Sequence, residues 1–235
     1  IINYADATII CTEKRKEQIA DATPKKLAVI HNTPYDKDDY EEIHFAAEFD
    51  KKKLKVAYVG IFGKARFIDK IVEVIAKRND CELHIAGYGA NMEEYLRNMS
   101  IQFNNIKYYG KVDYNTTLYI EHNCDVLCAI YDPNVPNHRY AAPNKFYEAL
   151  MLGKPLIVAR DTGVDDIISK NNIGIVIDYN ETDFDKALDC LIRRKAEWDD
   201  MGKRARRLYD TKYSLSVMEK RLIKLYTEIE EENNG

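Results

Sequence analysis

LKVAYVGIFGKARFIDKIVEVIAKRNDCELHIAGYG, residues 54–89, decides the fold. LKVAYVG and CELHIAG are apolar runs of strand length, and FIDKIVEVIAKR between them is an amphipathic segment of helix length. Strands without polar alternation are buried on both faces, which is the mark of a parallel sheet covered by helices on each side. Outward from this unit the pattern continues: NMEEYLRNM as helix, IKYYG as strand and TTLYIEHN as helix, then DVLCAIY, NKFYEALML, PLIVA, DDIIS and GIVID. The expectation is a doubly wound α/β domain with a parallel sheet.

The flanks read differently. Upstream, Ala7 to Cys11 predicts a strand, Thr12 to Ala20 a helix and Leu27 to Ile30 a second strand. One such unit buries too little apolar surface to be a domain, and the polar stretch from Asn32 to Lys53 separates it from the regular alternation that begins at Leu54. It reads as the tail of a domain lying further upstream, and the opening Ile1-Ile2-Asn3, with no initiator methionine, reads as a piece of something longer. After Asp178 the chain becomes helical, over 182–195, 198–209 and from Ser214 to about Glu232.

Composition narrows the function classes. The net charge is −4, and no basic arm or RNA-binding aromatic motif is present, which argues against a nucleic-acid partner. The odd set Cys11, Cys81, Cys124, Cys128 and Cys190 suits reduced core thiols and a reducing cytoplasm better than a disulfide framework. The longest apolar runs fall far short of the ~20 residues that span a bilayer, and no signal peptide opens the chain. The basic runs Arg193-Arg194-Lys195 and Lys203 to Arg207 read as solvated helix faces, with contact to anionic lipid as the alternative.

In open parallel sheets ligands bind at the carboxyl ends of the strands, where helix N-termini favour anions. The first strand end carries Gly60-Ile61-Phe62-Gly63-Lys64-Ala65-Arg66, two glycines that admit a phosphate to the backbone and two cations that neutralise it. The next carry Gly87-Tyr88-Gly89 and Gly110-Lys111-Val112, which suit the approach of a flat base or form plain turns. No loop completes a GxGxxG fingerprint, which lowers a dinucleotide reading. After Tyr131 a long connection, Asp132 to Ala142, leads into PNKFYEALML, with Pro143 expected at the first helical position. Asn144, Lys145 and Glu148 share one flank of this helix. The helix start and Lys145 would attract a phosphate and Glu148 would accept hydrogen bonds from sugar hydroxyls; an ordinary surface pair of Lys145 and Glu148 is the competing reading. His122, Cys124 and Cys128 lack the second ligand pair of a zinc site, and no Ser-centred nucleophile elbow or HExxH is present.

These segments resemble the retaining group 1 glycosyltransferases (family four) of the GT-B fold, in which two Rossmann-like domains clamp a nucleotide sugar. ADATIICTEKRKEQI with LAVIHNTPYD resembles the end of the acceptor domain, and KVAYVGIFGKA, HIAGYG, YYGKV and PNKFYEALMLGKPLIVARDTGVDDII resemble the donor half. The resemblance implies that Glu148, as the second glutamate of a pair seven apart, binds the ribose. It implies that Lys64 with Arg66 holds the diphosphate, that Gly110, Lys111 and Val112 lie beside the base, and that the backbone of Pro143 to Lys145 cradles phosphate and sugar. Tyr140 stands where the family's first glutamate falls and Ile61 where an arginine is common, and the Pro-Asn-Lys helix start resembles one subgroup. The implied layout is 1–35 as the tail of the acceptor domain, 36–53 as linker, 54–213 as the donor domain and 214–235 as a helix crossing back. The implied reaction is transfer from a UDP or GDP sugar with retention, without a metal or other cofactor, to a carbohydrate or lipid-linked acceptor. Such a step belongs to surface polysaccharide or glycoconjugate assembly, in the cytoplasm or at the inner face of the membrane. The donor half alone is expected to be inactive. A nicotinamide-dependent oxidoreductase and a non-catalytic interaction domain share the fold and remain alternatives.

Overall fold

A computed structural model of the chain describes residues 1–36, 43 and 45–234. Two short strands, β1 (Thr8–Ile10) and β2 (Leu27–Val29), pair in parallel as a sheet of their own. Between them the expected α-helix is a 3-10 helix, Glu13–Ile19, with no buried residue. EKRKEQI offers a single apolar side chain to dock, so packing does not supply what an α-helix of this length needs.

The main sheet comprises β3 (Leu54–Ile61), β4 (Cys81–Tyr88), β5 (Ile106–Tyr108), β6 (Val126–Ala129), β7 (Leu156–Ala159) and β8 (Gly174–Ile177). All six are parallel, in the order β5-β4-β3-β6-β7-β8. β3 shows why continuous apolar runs form such strands: Val56 and Tyr58 join the core on one face, Ala57 and Val59 the core on the other. The first face is covered by α1 (Ile68–Ala76), α2 (Glu93–Gln102) and α6 (Glu181–Arg193), through Ile71, Ile75, Leu96, Phe184 and Leu188. The second is covered by α3 (Tyr114–Asn123), α4 (Asn144–Leu152), α5 (Asp165–Asn171) and α7 (Trp198–Leu208), through Leu118, Phe146, Leu150, Ile168 and Ala205. α7 runs into a π-helical turn, Tyr209–Tyr213, and α8 (Leu215–Asn234) comes next.

Polar side chains close the N-termini of two helices, α3 and α6, and the C-terminus of α1. Asp113 caps α3 by accepting from the Thr116 N–H at 2.8 Å, and Asn180 caps α6 by accepting from Asp183 at 2.9 Å. The buried Asn105 amide donates to the carbonyls of Ile75 (2.7 Å) and Arg78 (2.8 Å) at the end of α1. α4 ends at Gly153 in the left-handed region (φ 63°) against Gly202 of α7, where an added Cβ on Gly202 would lie 2.4 Å from the Gly153 carbonyl oxygen.

The first 36 residues dock on the loops after β6 and β7. Lys14 donates to the Thr162 carbonyl (3.0 Å), the Thr12 hydroxyl to the Tyr140 carbonyl (3.2 Å) and Asn32 to the Asn144 side chain (3.1 Å). Within the stretch read as linker, Phe45 meets Tyr109 edge-on and Phe49 stacks on the buried His84 at 4.4 Å. Residues 37–42 and 44 of that stretch lie outside the described residues. α8 packs beside β2, where Arg221 donates to the Val29 carbonyl (3.1 Å), while Ile223 and Tyr226 stay exposed. Cys81, Cys124 and Cys128 are buried as expected of core thiols, Cys190 is half-buried, and Cys11 is exposed. Among the described residues no helix is long and apolar enough to cross a membrane.

Candidate functional site

Chain order runs outward from β3 through β4 to β5, then returns to β6 on the other side of β3, so the boundary between β3 and β6 is the switch point at which such sheets open a crevice. At this end of the sheet the register sets Gly60 of β3 opposite Gly87 of β4, and the Gly87 N–H donates to the Gly110 carbonyl after β5 at 2.7 Å. All three have positive φ, 140°, 140° and 70°. Gly87 has no room for a side chain: a Cβ there would lie 1.8 Å from the Gly60 carbonyl oxygen. Three neighbouring strand ends therefore present bare backbone.

Gly60 makes room for a different group. The Lys145 Nζ sits 2.7 Å from where a Gly60 Cβ would be and 4.5 Å from the centroid of the Tyr58 ring. Lys145 and Glu148 are 6% and 4% exposed, which rules out the ordinary surface pair. α4 thus carries a buried cation in its first turn and a buried carboxyl one turn on. Pro143 stands at the N-cap rather than the first helical position, with extended backbone (φ −68°, ψ 150°), and its carbonyl accepts from the Phe146 N–H at 2.9 Å. Its ring still fits, because the first turn needs no donor from it.

The Gly63 loop forms a 3-10 turn, Lys64–Arg66. Lys64 is exposed, whereas Arg66 donates to the Tyr131 hydroxyl (2.8 Å) and lies 4.7 Å above the Tyr131 ring. Lys111 lies 4.9 Å over the half-exposed Tyr88 ring, with Val112 partly buried beside it. Arg15, Asn32, Arg66, Tyr131, His138 and Pro143 line a cavity of about 290 Å³ beside the start of α4. Tyr140 is half-buried, its carbonyl held by Thr12.

Gly60, Pro143, Asn144, Lys145 and Glu148 are thus gathered at the switch point; Gly63, Lys64 and Arg66 lie at the end of β3, Gly87 at the end of β4, and Gly110, Lys111 and Val112 come after β5. Sequence reasoning missed Tyr58, Asn32, Tyr114 and Glu121. Tyr114 and Glu121 lie seven apart on α3, so one helix face carries both toward α4, a spacing visible in the sequence. Burial pushes the Tyr114 phenol up, the Glu148 charge adding to it, and Glu121 is fully buried.

An open parallel sheet in this order with helices on both faces belongs to the Rossmann-like, doubly wound class. The match to the model of the glycosyl transferases group 1 family over residues 39–208 goes further, and the chain belongs to that family. No curated protein matches it. Among solved structures it is similar to the sucrose-phosphate synthase of Thermosynechococcus elongatus, at 14% identity and a TM-score of 0.75, covering 97% of this chain and 59% of that one. TarM of S. aureus, solved with fondaparinux, α-GlcNAc-glycerol and UDP, is similar at 18% identity and a TM-score of 0.68, over 96% of this chain and 44% of that one. Anabaena HepE, solved with UDP-glucose, is similar at 11% identity and a TM-score of 0.70, over 96% and 65%. The sheet and its helical C-terminus match the Rossmann-like domains of these GT-B glycosyltransferases, and the chain spans roughly half to two thirds of their length.

Proposed function

We propose that this chain is the donor-binding half of a retaining, family-four glycosyltransferase of the Pro-Asn-Lys subgroup, taking a UDP or GDP sugar. The observation that carries the reading is the buried Lys145 ammonium, threaded over Tyr58 into the space left by Gly60, in the first turn of α4 and at the switch point. In the reaction the bond from the anomeric carbon to the diphosphate oxygen breaks, the acceptor hydroxyl oxygen bonds to that carbon on the same face, and the hydroxyl proton passes to the departing diphosphate. Charge grows on the leaving diphosphate. Lys145, Lys64 and the α4 N-terminus would stabilise it there, because pre-placed charges and dipoles need no reorganisation. Fixed cations make a divalent ion dispensable, so a chelator is expected to leave nucleotide binding intact. Glu148, one turn deeper, would accept the ribose hydroxyls, and the rim at Tyr88, Lys111 and Val112 would meet the base.

In this reading residues 1–35 belong to an acceptor domain whose remainder lies outside this chain, 36–53 cross to the donor domain of 54–213, and α8 crosses back. The acceptor is a carbohydrate or lipid-linked saccharide at the cytoplasmic face of a membrane, in surface polysaccharide or glycoconjugate assembly. The chain alone binds nucleotide weakly and transfers no sugar. Calorimetry against UDP, GDP, ADP and NAD, repeated with Glu148→Ala, tests this. Binding of one nucleoside diphosphate, lost in the variant, is expected; preference for NAD, or no binding at all, would overturn it.

A further inference from the structure

Directly behind the donor site lies a carboxyl that the proposed donor chemistry does not use. Glu121, on α3, is completely buried, and neither of its carboxyl oxygens has a hydrogen-bond partner. It is not a remote core oddity. Its electrostatic neighbours are Glu148 and Lys145 of α4, with Tyr114 two turns back on its own helix and the Cys124 thiol just beyond that helix's end. Two helices therefore bring together two acids and one fixed cation, all buried, with the part-exposed Tyr114 phenol beside them. Two buried carboxylates beside a single ammonium cannot both stay ionised, since the second charge finds neither solvent nor a counter-ion.

We propose that Glu121 is a positioning residue of the donor site: it carries the one proton that the Glu121 and Glu148 pair retains, leaving Glu148 as the single carboxylate balanced by Lys145. The inference rests on the reading of Glu148 as the hydroxyl-binding carboxylate. Burial raises Glu121 well above the ordinary carboxyl range, the Glu148 charge adds to it, and Lys145 opposes it. Burial raises Glu148 too, but Lys145 and then the Tyr114 hydroxyl pull it back. The asymmetry assigns the proton, because the group with partners for its charged form is the one that ionises first. A bound diphosphate adds further negative charge nearby, so the neutral form of Glu121 matters most when the site is loaded. Ionising Glu121 would set a second anion against Glu148 and weaken nucleotide binding at alkaline pH.

The test has two arms. In the first, carbon-13 NMR follows the Glu carboxyl carbons of the ligand-free 235-residue chain, Glu121 being assigned by its loss in Glu121→Gln, or in Glu121→Met should the glutamine variant fail to fold. Glu121 is expected to remain protonated at about pH 7; titration alongside surface carboxyls near about pH 4.3 would overturn the proposal. In the second, affinities for UDP, GDP and ADP are measured across pH 6–9. The wild type is expected to lose up to about tenfold per pH unit above the point where Glu121 ionises, whereas Glu121→Gln, a mimic of the neutral acid, stays within about twofold at pH 6 and loses that alkaline decline. Parallel profiles for wild type and variant would remove the positioning role. Failure of all three nucleotides to bind the wild type would instead overturn the donor-site reading, while the carboxyl titration still decides where the proton sits.

Discussion

Gly60→Ala and Gly87→Ala introduce the same methyl group at paired positions on adjacent strands, yet the structure predicts different failures. Both residues have φ of 140°, so each alanine takes on backbone strain of about 1–3 kcal/mol. At Gly87 the new Cβ would also lie 1.8 Å from the Gly60 carbonyl oxygen and 2.8 Å from its carbon. Backbone in the middle of a sheet cannot step aside, and the overlap adds about 1–3 kcal/mol, for a total of about 2–6 kcal/mol. At Gly60 the obstacle is the Lys145 Nζ at 2.7 Å, the far end of a flexible side chain. It can swing away, so only the strain term applies to folding, and the damage passes to the site. With roughly 2–4 °C of Tm lost per kcal/mol in a chain of this size, calorimetric melting should fall by about 2–12 °C for Gly60→Ala and by about 4–24 °C for Gly87→Ala. In nucleotide titrations Gly60→Ala should lose affinity out of proportion to its Tm change. Equal melting losses in the two variants, or unaltered nucleotide affinity in Gly60→Ala, would refute the reasoning.

Lys145→Met keeps the apolar stem over Tyr58 and removes the charge. It should weaken nucleoside diphosphate binding by about 1.5–3 kcal/mol, about 10- to 150-fold, and also lower Tm, because the buried Glu148 loses its counter-charge, as calorimetry and thermal melting would show. Asn105→Ala strips its amide from the Ile75 and Arg78 carbonyls at the end of α1, and urea denaturation should register a loss of about 1–3 kcal/mol. Glu13, lowered to about 2 chiefly by the His31 imidazole 3.3 Å from its carboxylate, is ionised at lower pH in the folded chain than in the unfolded one. Its stabilisation is therefore fully present above about pH 4.3 and lost as pH falls toward 2. Because the Glu13 side chain is more than half exposed, the contribution is under about 1 kcal/mol, and Glu13→Gln should flatten the acid limb of the stability profile by no more than that.

The parallel sheet was legible because its strands are apolar on both faces, and the glycines at its carboxyl end were legible because loops of that kind are short and conspicuous. Strand order was not, since adjacency depends on which side of β3 each crossover returns, and no single residue records that choice. The helix expected over 12–20 is a 3-10 helix because its charged sequence has nothing to bury. Lys145 and Glu148 were found by position but not by depth: a Lys and a Glu three apart look the same on a wet helix as on a buried one. Glu121 was missed for the same reason. YNTTLYIEHN has little contrast between its faces, and only the packing of α3 against α4 reveals that its acid points inward.

The contact between Gly153 and Gly202 has a consequence for the opposite end of α4. A nine-residue helix is about 13 Å long, stiff over that length, and seated at its tail where two backbones touch without side chains between them. That seat sets the tilt of the whole rod, much as a gun carriage sets the line of its barrel. A methyl group at Gly202 would push the tail outward and swing Asn144 and Lys145 off their mark. A search for residues that govern ligand affinity would then return a glycine on α7 that no ligand touches.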